Sequence, residues 1–87
     1  MQFMSEMNQM SLVKMQVGQT GTVVEIRGGR GLSERLSALG IRPGKNITKV
    51  GAMLMRGPVT VQVDRAQVAI GHGMAEKIIV TPKVLSK

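Results

Sequence analysis

The chain has no cysteine, no tryptophan and no tyrosine, and its one phenylalanine is Phe3. Without cysteine it has no disulfide, no zinc–thiolate site and no thiol nucleophile, as befits a reducing compartment. With so few aromatic rings the core must be aliphatic, and the stacking platforms that hold single-stranded nucleic acid are missing. Acidic residues are scarce as well: five Asp and Glu against twelve Lys and Arg leave a formal charge of +7. Five carboxylates offer little material for acid–base chemistry. No carboxylate pair or Ser-His-Asp arrangement is legible, so an enzyme is not expected. No apolar run approaches the ~20 residues of a membrane span, and the N-terminus lacks the basic-then-apolar pattern of a secretion signal. A cytoplasmic protein that does not span a membrane is the expectation, with a basic surface suited to an acidic partner.

What remains is a small aliphatic domain. At 87 residues and 43% hydrophobic content there is room for one core. One segment has a helical pattern. From Arg30 to Leu39, Leu32, Leu36 and Leu39 recur at i, i+4 and i+7, while Ser33, Glu34, Arg35 and Ser37 take the other faces. Gly40 stands where a left-handed residue closes a helix, Ile41 follows as the hydrophobic residue that packs back on Leu36, and Pro43-Gly44 turns the chain. A helix this short needs a sheet to hold its leucines, so Leu36 and Leu39 are both expected in the core.

The rest reads as strand and turn. Thr22 to Arg27 is rich in β-branched residues, and Gly28-Gly29 breaks it. Neither G-x-G-x-x-G nor a P-loop pattern occurs there, which argues against nucleotide binding. Lys45 to Gly51 carries Ile47 and Val50 three apart, the mark of a strand with a bulge. After Gly57-Pro58, Val59, Val61 and Val63 alternate with Thr60, Gln62 and Asp64 in the clearest strand of the chain. Arg65-Ala66 is expected as a tight connection to Gln67–Ile70. Gly71 to Ala75 is a turn or one turn of helix, and Lys77–Thr81 closes the domain. These elements predict a mainly β protein, a small barrel of about five strands with one short α-helix inserted after the first. Residues 1–11, with methionines at 1, 4, 7 and 10, are expected to be a leader. Thioethers at that spacing suit a soft ion such as copper(I), but an unstructured leader explains them more simply. The domain is expected over 12–81, with 82–87 as a tail.

In their order, these residues resemble the ferrous iron transport protein A family, FeoA: Gly21-Thr22-Val23 through Ile26, Arg35-Leu36, Leu39-Gly40-Ile41, Pro43-Gly44, Gly57-Pro58, Val68-Ala69-Ile70, then Ala75, Ile78 and Val80. The resemblance implies an SH3-like barrel and a cytosolic accessory of ferrous iron uptake. Such an accessory binds and regulates the membrane ferrous iron transporter B, which carries a GTPase domain. It also implies similarity to the C-terminal module of iron-dependent repressors. Ile70-Gly71-His72-Gly73 departs from the Leu-Arg that the family often carries after its fourth strand.

Two other functions are compatible with composition: a basic barrel that binds nucleic acid, and a stand-alone metal-sensing regulatory module. The missing aromatics weigh against the first. His72 is the single histidine, and its candidate companions Asp64 and Glu76 come from different elements, so neither a metal site nor a cofactor is expected. The expected partner-binding residues are Arg35, on the polar face of the helix, and the apolar run Met53-Leu54-Met55 between two strands. Two readings of that run stay open: an exposed protein contact, or a loop folded over the barrel mouth to close the core.

Overall fold

A computed structural model describes residues 8–52 and 57–83. The elements run β1 (Met10–Ser11), a 3₁₀ turn (Leu12–Lys14), β2 (Thr20–Ile26), α1 (Gly29–Ala38), β3 (Asn46–Ala52), β4 (Val59–Val63), β5 (Ala66–Ile70), α2 (His72–Glu76) and β6 (Ile78–Pro82). The strands form one antiparallel sheet in the order β1-β6-β2-β3-β4-β5, curled into a small SH3-like barrel. Six strands replace the five expected, because Met10 and Ser11 pair with Val80 and Ile79. Two residues carry no readable periodicity, which is why this strand does not show in the sequence.

The sheet curls at two irregularities. Register shifts between Val23 and Glu25 where β2 meets β6, and between Lys49 and Gly51 where β3 meets β4. The second is the bulge that the Ile47–Val50 spacing implies. At the first, Val24 is left half-exposed while Val23 stays buried; the Val23 amide donates to the Lys45 carbonyl at 2.8 Å, and the Gly44 amide to the Val23 carbonyl at 2.7 Å. Strand β2 thus turns from β3 toward β6. Gly21 lies tight against β6 and the 3₁₀ turn, since a Cβ there would lie 3.1 Å from the Thr81 carbonyl oxygen and from the Met15 sulfur.

The core is aliphatic, as composition requires. Leu12, Val23, Leu36, Ile41, Val61, Ile70, Ile78 and Val80 are wholly buried, with Val59 and Val63 almost so. On β4 the predicted alternation holds, with all three valines turned inward. The connection to β5 lies one residue earlier than expected: Val63 pairs with Ala66, leaving Asp64-Arg65 as the turn. Asp64 takes the left-handed conformation there, φ +56°, the role glycine usually has in such a hairpin.

The helix closes as its sequence demands. Gly40 adopts φ +90°, its amide donates to the Ser37 carbonyl and that of Ile41 to the Leu36 carbonyl, each at 2.9 Å. This is a Schellman closure, with Ile41 and Leu36 buried in the same cluster. Leu39 is different. It is 42% exposed, against the expectation that it pins the helix beside Leu36. The helix proper ends at Ala38 and the reversing chain brings Ile41 into the core, so the inward position next along the leucine stripe is filled from beyond the turn.

Candidate partner-binding face

Helix α1 carries most of the candidate surface. Arg35, Ala38 and Leu39 stand at i, i+3 and i+4, neighbouring positions on a helix, and all three are exposed. No carboxylate lies within ion-pair distance of Arg35 among the described residues. In the last turn of the helix its charge suits the negative end of the dipole. Arg42, just past the closing turn, donates weakly to the Ser37 hydroxyl at 3.4 Å. Arg30 is also exposed, and Glu34 is the only acid on the helix. The face is therefore basic with a leucine at its end. Arg35 is exposed on the helix, as its polar-face position implies, whereas Leu39, expected in the core, is exposed beside it; its signal would have been its position directly before the closing glycine.

The fold fixes the helix end in place. A Cβ on Gly40 would approach Val63 Cγ1 to 3.2 Å, so the closing turn rests on the end of β4. Beside it, Lys45 Nζ and the Asp64 carboxylate pair at 2.9 Å. The predicted loop residues Met53, Leu54 and Met55 lie outside the described residues. The base of their loop is the Ala52–Val59 pair. Val59 and Val63 are opposite ends of β4, about 13 Å apart at strand rise, so the helix end and the loop base do not adjoin. Gly57 and Pro58 lead into β4 as expected.

Asp64 and Glu76 do come from different elements, the β4–β5 turn and α2, but His72 and Glu76 are brought together. Both lie on α2, with Nε2 and the carboxylate oxygen 3.3 Å apart at i,i+4. The imidazole side chain is 26% exposed, a half-buried ring rather than a free one. Asp64 is held by Lys45 instead. Among the described residues no group of three or more His, Cys, Asp or Glu is placed to hold a metal ion.

A second residue that sequence reasoning missed is Lys49, which is only 4% exposed. Its Nζ donates to the carbonyls of Leu12, Val13 and Met15 at 3.3, 3.0 and 2.6 Å. Three ammonium protons meet three oxygens of the 3₁₀ turn, so burial is compensated by hydrogen bonding. Burial still lowers its pKa below the usual 10.5. The signal was present: with the bulge after it, Lys49 sits two residues from Ile47 and shares its inward face.

Among the described residues no helix is long and apolar enough to cross a membrane. A family model described as the FeoA domain matches residues 10–82. A crystal structure of an iron uptake regulatory protein, FeoA, is 32% identical with a TM-score of 0.79, the match covering 86% of this chain and 97% of that one. The solution structure of iron(II) transport protein A from Clostridium thermocellum is 21% identical with a TM-score of 0.77, over 83% of this chain and 44% of that one. A manganese-dependent transcriptional repressor is 24% identical with a TM-score of 0.77, over 84% of this chain and 41% of the repressor. These last two likenesses show a shared fold. No curated protein matches the chain.

Proposed function

Because the chain belongs to the FeoA domain family, we propose that it is an accessory of ferrous iron uptake that acts by contact, binding and regulating the cytosolic, GTPase-bearing part of ferrous iron transporter B. The observation that carries this reading is the Arg35–Ala38–Leu39 face. An exposed leucine beside an arginine without an acidic partner among the described residues supplies an apolar anchor and a charge to orient it. A small patch of this kind suits a transient regulatory contact rather than an obligate complex.

The rigid closing turn adds to the reading. Leu39 is presented from a helix end fixed by two backbone hydrogen bonds and by packing of the turn on Val63, so little ordering remains to be done on binding. Met53-Leu54-Met55 is a second proposed contact. A partner that engaged both would have to reach along β4.

Titrating the protein against the isolated cytosolic part of the transporter tests the reading. Saturable binding that weakens as salt rises is expected, since Arg35 contributes through charge. No binding at any salt concentration would remove the proposed partner.

A further inference from the structure

The outer strand β5 pairs only with β4 among the described residues. Its two-residue turn makes Val63 and Ala66 a hydrogen-bonded pair. Alternation then gives Val61–Val68 and Val59–Ile70 the other bonded positions. The amides and carbonyls of Gln67 and Ala69 consequently point away from β4. None of them has a hydrogen-bond partner among the described residues, and both residues are exposed. Outer strands are commonly guarded by lysine, proline or a bulge, and Ala-Gln-Val-Ala-Ile has no such device.

We infer that this edge takes a second copy of the chain, β5 against β5 and antiparallel, about a two-fold axis at Val68. The four outward groups are symmetric about that residue. Gln67 then faces Ala69 of the second copy and Ala69 faces its Gln67, closing four N–H···O=C bonds. The two Val68 side chains meet at the non-bonded position, where antiparallel strands bring side chains closest. This self-matching favours a second copy over a strand from another protein. Charge agrees with it. Although the chain is +7 overall, β5 itself, Ala66–Ile70, carries no charged residue, so the paired strands do not repel. The contact is small, so the dimer is weak and depends on concentration.

Sedimentation of the full chain from about 10 µM to about 1 mM should show a reversible monomer–dimer equilibrium. The double variant Gln67→Lys with Ala69→Lys opposes two lysine pairs and should weaken the dimer about tenfold or more. Gln67→Glu with Ala69→Lys instead opposes Glu to Lys twice and should restore it. Both variants change exposed side chains, and circular dichroism would confirm their fold. A wild-type chain that stays monomeric overturns the inference. So does a dimer indifferent to the lysine pairs, or one that Glu–Lys pairing fails to restore. Loss of transporter binding in the lysine variant, with wild type monomeric, would assign the edge to a partner's strand and overturn it equally.

Discussion

Lys49 Nζ lies 2.6 Å from the carbonyl oxygen of Met15, with the carbonyls of Leu12 and Val13 completing its three contacts. One buried side chain on β3 thereby caps the 3₁₀ turn that joins β1 to the barrel. The segment is otherwise held by the Met10–Ser11 pairing with β6, by the Ser11 hydroxyl donating to the Ala75 carbonyl at 3.3 Å, and by the packing of Leu12 and Met15 in the core with Met10 and Val13 against it.

Lys49→Met should therefore destabilise the domain by about 1–3 kcal/mol, because it takes the donor from the Val13 and Met15 carbonyls while keeping the side-chain bulk; the Leu12 carbonyl keeps the Met15 amide. Urea denaturation measures it.

The lowered pKa of Lys49 sets a second, independent outcome. Between that value and 10.5 the unfolded chain holds a proton that the folded chain has lost, so stability rises with pH across this window. Below it the charged lysine carries its burial cost in full; above 10.5 the cost is gone. The stability difference between wild type and Lys49→Met should thus shift in favour of wild type as pH is raised toward 10.5. A shift in the other direction would mean that the three carbonyls more than compensate the burial.

Leu36→Ala should cost ~2–5 kcal/mol, as expected for a wholly buried leucine. Leu39→Ala should stay within ~0.5 kcal/mol, since Leu39 is mostly outside the core. Thermal melts of the two variants separate them. Equal losses would return Leu39 to the core.

Gly40→Ala tests the helix closure. At φ +90° a side chain costs about 1–2 kcal/mol by itself, and the added Cβ would press on Val63 Cγ1 at 3.2 Å. Gly44→Ala has a similar φ of +94° with open space around it, so it should lose less. Equal destabilisation by the two would mean that the turn does not rest on β4.

These contrasts show what the sequence carries. The helix stop was legible because Gly40, Ile41 and Pro43 act locally, each through its own backbone chemistry. The β4 face was legible because three valines alternate without interruption. Leu39 was misread because helical spacing gives the angle around the axis and says nothing of where the helix ends over the sheet. Lys49 was missed because lysine in a strand is ordinarily solvated, and its three acceptors come from a turn 34 to 37 residues earlier in the chain. His72 and Glu76 were at helical spacing all along, but only a formed turn of helix brings them together. Of the proposed contact surface, Arg35 was legible as a polar helix position, and the leucine beside it was not.

The most direct measurement is the affinity of the cytosolic part of the transporter for Arg35→Glu with Leu39→Ser, beside the wild type. Both residues are exposed, so the variant should fold and melt within ~1 kcal/mol of the parent. Binding should weaken by about tenfold or more in this folded variant, with the weakening reduced at high salt as the Arg35 contribution to wild-type binding is screened. Unchanged affinity in the folded variant would contradict the proposed contact, and would move the interface off helix α1.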